Sequence, residues 1–273
     1  MSRIKQPQFE GFAEVPIVVR KDYNVLFGEL GEEVRKVAEG TFNERLEGFP
    51  GLAGTLRMVD ANGRRELAGS NLPVRAGLNL VDFSGFGIQV CDEGDLARIY
   101  NDEVERLSQR KEGFFAGKHW FDLSLIRNPH VTRRELAPWE RELNDGINEI
   151  CGAGEIVSVP YGAIVPVRLD EDNAPFGRIS GYSFRISPNA KGALSVVEVT
   201  AKEAQGGYDF SRLDENSAFP VKGEGRHFYG IGDRTFSGLY VSRYLSVSCD
   251  GDPLGSGEGG RVVFKSRSDA PEK

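Results

Sequence analysis

The stretch that decides the fold class is Arg226-His227-Phe228-Tyr229-Gly230-Ile231-Gly232-Asp233-Arg234-Thr235-Phe236-Ser237-Gly238-Leu239-Tyr240-Val241-Ser242-Arg243-Tyr244. Apolar and polar side chains alternate along it, and glycines interrupt the alternation. A period of two is typical of strands, and glycine within such a run marks a turn or a bulge. The pattern therefore predicts sheet, with Phe228, Leu239 and Val241 facing inward and the arginines and tyrosines covering the outer face.

The same pattern extends through the second half of the chain, whereas helical periodicity is confined to the first half. Three amphipathic helices are expected, the first around Leu26–Val37, the second beginning near Asp95 and stopping near Gly113, and the third after a Thr132-x-x-Glu135 capping box and ending near Gly152. A strand is expected at residues 78–81. The predicted fold class is α+β, predominantly antiparallel β, with about three helices in the N-terminal half.

The change in pattern at Gly152 suggests a division of the chain into portions. We expect an α+β portion at residues 1–151, a β-rich portion at residues 152–265 and a polar tail at residues 266–273. Because no Ser/Pro-rich linker marks the change, one integrated domain is the alternative.

Composition limits the function classes. The 273 residues include 34 Lys+Arg and 41 Asp+Glu, a net charge of -7, which excludes a uniformly basic nucleic-acid coat. Residues 226–273 are nearly neutral, with seven Lys/Arg against six Asp/Glu, so a confined basic site stays open. With three scattered cysteines and neither an apolar leader nor a run of 18 apolar residues, we expect a cytoplasmic protein with no membrane contact.

Familiar catalytic and cofactor signatures are missing from the sequence. There is no Gly-x-Ser-x-Gly elbow, and the stretch at residues 113–119 has three residues between its glycines where a P-loop has four. The three histidines and three cysteines show no metal-ligand spacing. We therefore expect no catalytic residue, no metal and no cofactor, although paired carboxylates assembled by the fold remain open.

Two segments combine cations with aromatic or imidazole rings. The first surrounds the start of the third helix, and the second is the stretch quoted above. Arginine binds phosphate, and aromatic rings stack on unpaired bases. The predicted nucleic-acid-binding residues are Arg127, His130, Arg133, Arg134, Arg226, His227, Tyr229, Arg234, Tyr240, Arg243 and Tyr244. The alternative is that the arginines pair with acidic neighbours and the rings belong to a core.

The order of these features resembles the RAMP-type backbone subunits of CRISPR effector complexes. The resemblance rests on the helix at residues 95–110 followed by His119-Trp120 and Arg127-Asn128, the strand at 194–201 and the Gly-rich stretch at 231–241. It implies a modified RRM-like sheet that polymerises along a guide RNA without catalysis, in antiviral defence. Residues 154–163 and 177–184 also resemble phage OB-fold single-strand binders.

The expected function is non-enzymatic binding of single-stranded nucleic acid, as RNA or DNA. Self-association or a multi-subunit complex is expected with it. A structural assembly subunit such as a virion or tail component is the first alternative. An enzyme with a carboxylate site that the sequence does not reveal is the second.

Overall fold

The computed structural model describes residues 23–46, 55–61, 63–107, 115, 119–131, 135–168, 182–242, 245–255 and 259–267. The helices in these ranges are α1 (Gly28–Leu46), α2 (Leu72–Leu78), α3 (Glu93–Leu107), α4 (Pro138–Cys151) and α5 (Ala201–Gly206). The strands are β1 (Tyr23–Val25), β2 (Arg57–Ala61), β3 (Arg64–Ala68), β4 (Ile88–Val90), β5 (Trp120–Arg127), β6 (Val157–Val159), β7 (Ile164–Arg168), β8 (Tyr182–Ile186), β9 (Ser195–Val196), β10 (Tyr208–Leu213), β11 (Pro220–Ile231), β12 (Phe236–Ser242), β13 (Ser246–Gly251), β14 (Gly260–Arg261) and β15 (Val263–Ser266).

One eight-stranded sheet organises the molecule. Its order is β10-β11-β13-β12-β5-β6-β9, and β14 pairs with the first two residues of β5. Strand β13 lies between β11 and β12, antiparallel to β12 and parallel to β11. A three-stranded sheet β1-β15-β4 and the hairpins β2-β3 and β7-β8 complete the strands. The main sheet takes strands from both sides of residue 152.

Helix α4 covers one face of this sheet. Its buried side chains Trp139, Leu143 and Ile147 recur at steps of four, as an amphipathic helix requires. The Trp139 ring lies 5.8 Å from the ring of Phe236 on β12 and 6.0 Å from that of Phe184 on β8. The packing joins the main sheet and the β7-β8 hairpin in one core cluster.

Helix α3 covers the opposite face. Tyr100 stacks on Phe210 of β10 at 6.3 Å, and its hydroxyl donates a 2.9 Å hydrogen bond to the Leu245 carbonyl. Burial of large side chains such as these contributes roughly 1.5–3 kcal/mol each. The sheet therefore has a core cluster on each face.

The α+β class is confirmed, but the finer expectation needs correction. The described part of the chain has four helices before residue 152 and a fifth, α5, within the β-rich part. The main sheet is mixed, because β11 pairs with β13, and β14 with β5, in parallel. The prediction of a strand at residues 78–81 is wrong. Leu78 is the last residue of α2, and the amides of Leu80 and Val81 donate hydrogen bonds to carbonyls at the end of that helix.

A helix that spans a bilayer needs about 20 predominantly apolar residues, and the described helices can be judged by that length and composition. None of them is both long enough and apolar enough to cross a bilayer.

Candidate functional site

The structure describes seven of the eleven predicted nucleic-acid-binding residues. Arg133, Arg134, Arg243 and Tyr244 lie outside the described residues. Of the other seven, Arg127 is buried in the interior, His130 and Tyr229 line one cavity, and Tyr240 lines a second. The remaining three are Arg226, His227 and Arg234.

Arg127 lies in the interior. Its side chain is fully buried at the end of β5 and donates 2.8 Å hydrogen bonds to the carbonyls of Gly152 and Ala153, just past α4. A cation at this position also complements the negative end of the helix dipole. The guanidinium therefore serves the fold and is not presented to solvent. Arg226 is half-buried on the side of β11 that faces the core.

His130 and Tyr229, 99 positions apart in the sequence, line the same cavity of about 590 Å³. This Tyr229 cavity is bounded by Asn128, His130, Val131, Ala201, Ala204, Gln205, Tyr229, Gly230, Ile231, Gly232, Asp233, Cys249 and Asp250. The loop that carries His130 is held by two contacts. The Asn128 amide donates to the Thr235 carbonyl at 2.8 Å, and the His130 amide donates to Asn128 Oδ1 at 3.1 Å.

The opposite wall of the Tyr229 cavity depends on glycine. Gly230 has a φ of +90°, and a Cβ there would lie 2.8 Å from the Ala204 carbonyl oxygen of α5. The close approach lets α5 pack against β11 and places Ala201, Ala204 and Gln205 on the rim. Side chains larger than hydrogen at position 230 would force α5 away from the cavity.

His227 and Tyr229 form a small aromatic surface on the exposed side of β11. They are two residues apart on one strand and so share a face. Their ring centroids are 5.1 Å apart in an edge arrangement, and Tyr229 is 64% exposed. His227 Nδ1 lies 2.9 Å from Asp209 Oδ1 on the neighbouring strand β10. His130, His227 and Tyr229 are thus the predicted residues that the fold brings together.

Tyr240 belongs to a different site, and Arg234 lies outside its lining but pairs with one of the lining residues. Tyr240 lines a cavity of about 320 Å³, and Arg234 lies 3.2 Å from Asp252 on its wall. This Asp122 cavity is bounded by Ser70, Asn71, Trp120, Asp122, Tyr161, Gly238, Tyr240, Gly251, Asp252, Pro253 and Gly255. Pockets that combine aromatic walls with a few convergent polar groups are the usual form of a small-molecule site.

Asp122 is the buried carboxyl group among the described residues that line this cavity. It is 8% exposed, and its Oδ2 accepts a hydrogen bond from the Ser70 hydroxyl. Burial raises the pKa of Asp122 to about 6, while the Ser70 hydrogen bond and the charge of Arg75 act in the opposite direction. A carboxyl group with this pKa changes its charge near neutral pH.

Two tyrosines border the same space. Burial, with the nearby charge of Asp122, raises the pKa of Tyr161 well above its ordinary value. Burial and the 2.9 Å hydrogen bond that Tyr240 donates to Asp250 raise the pKa of Tyr240 to about 12. Both hydroxyls therefore stay protonated at physiological pH.

A buried ion pair holds the wall that carries Ser70. Glu66 of β3 accepts a 3.0 Å hydrogen bond from Arg261 of β14, and both side chains are 1% exposed. The amide of Gly69 donates to the Gly260 carbonyl at 3.1 Å. Because Ser70 follows directly, the ion pair and this hydrogen bond fix its backbone beside β5.

The sequence does not reveal the Asp122 cavity, although one signal is present. Asp122 is the one charged residue in the stretch Phe121-Asp122-Leu123-Ser124-Leu125, and a carboxylate that is buried in a strand needs a partner or a function. Its neighbours in the cavity are Ser70, 52 positions earlier, and Tyr161, 39 positions later. Because these residues are far apart along the sequence, local sequence patterns do not predict the site.

The described residues contain no group of three or more His, Cys, Asp or Glu side chains that could hold a metal ion. No protein-family model, curated protein or solved structure matches this chain.

Proposed function

We propose that this chain binds single-stranded nucleic acid at the surface formed by His130, His227 and Tyr229. The observation that carries the proposal is the position of Tyr229, whose ring is 64% exposed at a cavity also lined by His130. An aromatic ring left open to solvent beside a cavity offers a stacking face to a base. The proposal includes a cytoplasmic location and assembly with further subunits, which rest on the sequence.

The polar lining of the Tyr229 cavity suits the edge of a base. Asn128 and Gln205 each offer an amide donor and acceptor, and Asp233 offers a carboxylate. Bases that are splayed out of a strand are recognised by such hydrogen bonds together with stacking. A duplex keeps its bases stacked, and therefore the proposal is limited to single strands.

Charge at the rim is modest. Lys202 is exposed on α5, next to Ala201 in the cavity wall. Asp209, Asp233 and Asp250 lie on or near the same surface and oppose phosphate. We therefore expect stacking to contribute more than phosphate contacts, which distinguishes this surface from a basic coat.

The test is fluorescence anisotropy of labelled single-stranded RNA and DNA over a series of salt concentrations. We expect saturable binding at low salt. The logarithm of the binding constant should fall only shallowly with the logarithm of the salt concentration, because each phosphate contact contributes about 0.7 to that slope and we expect about one or two contacts. Absence of binding at 50 mM salt would refute the proposal. If light scattering then showed rings or tubes without nucleic acid, the assembly-subunit alternative would be favoured.

Matched variants locate the surface. Tyr229→Ala removes the stacking ring and should weaken binding by about 5- to 150-fold, since stacking contributes roughly 1–3 kcal/mol per base. Tyr229→Phe keeps the ring and should leave affinity within about twofold. Equal affinities of the wild type and both variants for nucleic acid would show that Tyr229 is not part of the site.

A further inference from the structure

The Asp122 cavity has a lining whose chemistry is distinct from that of the nucleic-acid surface. Three aromatic side chains, Trp120, Tyr161 and Tyr240, line it together with the carboxylates of Asp122 and Asp252. None of the described residues that line it is Lys, Arg or His. We propose that the Asp122 cavity binds a small organic ammonium ion, with the Asp122 carboxylate as its counter-ion and aromatic rings as its walls.

The sheet places the rings next to the carboxylate. Tyr240 on β12 and Asp122 on β5 are direct cross-strand partners, and such partners have Cβ atoms about 5 Å apart. Trp120 is two residues before Asp122 on the same strand and therefore projects from the same face. A cation beside Asp122 thus lies within reach of two ring faces.

Tyr161 closes the floor of the cavity. A Cβ built on Gly238 would lie 3.7 Å from the Tyr161 hydroxyl oxygen and 3.9 Å from Asp122 Oδ1. Both atoms therefore face the empty space that the glycine leaves. This space is where the charged end of a ligand would meet Asp122.

Within the described part of the chain, the charge of Asp122 is only partly compensated, by the Ser70 hydrogen bond and the nearby charge of Arg75. Asp252 pairs with Arg234, but no ion pair to Asp122 is formed there. The nearby Arg75 guanidinium lies 3.9 Å from Glu93 and 5.2 Å from the centre of the Tyr161 ring. A buried carboxylate without a paired counter-ion is costly, and a bound cation lowers that cost.

Other ligand classes fit this lining less well. Phosphates and carboxylates would meet Asp122 and Asp252 without an unpaired cation to bind them. A neutral ring could pack on Trp120 and Tyr240, but it would leave Asp122 without a paired cation. Aromatic walls attract cations through the negative faces of their rings, and this attraction is the feature that a neutral ligand does not use.

The test is isothermal titration calorimetry with choline and with 3,3-dimethylbutan-1-ol, which has the same shape but carries carbon in place of the charged nitrogen. At pH 8 we expect saturable binding of choline and at least about tenfold weaker binding of the neutral alcohol. Methyl glucoside, which carries no charge, is titrated as a third ligand. Equal binding of choline and the neutral alcohol, or binding of methyl glucoside without binding of choline, would overturn the proposal. Absence of binding by all three would overturn it as well.

Variants tie the binding to this cavity. Asp122→Asn removes the charge but retains an acceptor for Ser70, and should reduce choline affinity by at least tenfold. Gly238→Ala places a methyl group at ordinary contact distances from Tyr161 and Asp122, so the variant should fold and exclude choline. Tyr240→Phe keeps the ring and should bind within about twofold of the wild type.

The site does not depend on the nucleic-acid surface. Tyr229→Ala should leave choline binding unchanged, and Gly238→Ala should leave nucleic-acid binding unchanged. Wild-type affinity for choline in both Asp122→Asn and Gly238→Ala would place the cation elsewhere and refute the proposed site.

Discussion

Replacing Asp122 by asparagine should stabilise the folded chain at neutral and alkaline pH. Burial raises the pKa of Asp122 from an ordinary value of 3.8 to about 6. The folded state therefore binds the proton more tightly than the unfolded state does. The contribution of Asp122 to the free energy of unfolding is therefore most favourable below pH 4, where this residue is protonated in both states. That contribution is lost as the pH rises through 6.

The pKa difference sets the magnitude. A tenfold change in proton affinity corresponds to about 1.4 kcal/mol, so ionised Asp122 lowers the free energy of unfolding by about 3 kcal/mol above pH 7. Asparagine has nearly the same shape, carries no charge and can accept the Ser70 hydrogen bond. The free energy of unfolding of the variant should not decrease in this way as the pH rises. At pH 8 it should exceed that of the wild type by up to about 3 kcal/mol.

Urea denaturation of both proteins from pH 4 to pH 8 measures the effect. The quantity of interest is the stability of the variant minus that of the wild type, because all other titrating groups cancel. We expect this difference to rise by about 2–3 kcal/mol between pH 4 and pH 8. Asp145→Asn, which changes an exposed carboxylate on α4, is the control and should give a flat difference. A flat difference for Asp122→Asn would refute the argument from burial.

Three further substitutions test the structure by urea denaturation at pH 7. Glu66→Gln leaves the buried guanidinium of Arg261 without its carboxylate and should lower the free energy of unfolding by about 3–5 kcal/mol, whereas a loss below 1 kcal/mol would contradict the buried pair. Asn71→Ala removes the side chain that caps α2 at the Val74 amide and should cost about 1 kcal/mol; an unchanged stability would contradict that cap. Gly207→Ala introduces a Cβ 1.9 Å from the Phe228 carbonyl oxygen at a φ of +75°, and wild-type stability in this variant would contradict the close packing of β11 on the turn after α5.

Local periodicity is sufficient to predict the longer helices. The stripe Trp139, Leu143 and Ile147 belongs to α4, and all three side chains are buried as expected. The predicted start differs, since α4 begins at Pro138 and the side chain of Glu140 accepts from the Ala137 amide. Thr132 of the expected capping box lies outside the described residues.

The short helices are harder to predict because tertiary contacts stabilise them. Helix α5 has only six residues, although its Thr200-x-x-Glu203 capping box is visible in the sequence. Helix α2 begins after the cap Asn71 with a proline in its first turn. Both signals mark helix starts, but segments this short have little stability in isolation.

The sites depend on pairings that no local pattern contains. Arg127 has the residue type of a phosphate ligand, and its burial follows only from the position of residues 152 and 153. His130 lines the same cavity as Tyr229 because β5 and β11 belong to one sheet, in which β13 lies between β11 and β12. Tyr240 faces Asp122 through the register of β12 on β5. Long-range register, not composition, assembles both cavities.

Photo-crosslinking tests the proposed nucleic-acid surface most directly. Single-stranded RNA containing 4-thiouridine, or DNA containing 4-thiothymidine, is irradiated with the protein, and the modified peptides are identified by mass spectrometry. We predict adducts in the β11 segment that carries His227 and Tyr229 and in the loop that carries His130, with the β11 adducts lost in Tyr229→Ala. Adducts confined to other segments, or none at concentrations where the nucleic acid is bound, would contradict the proposal.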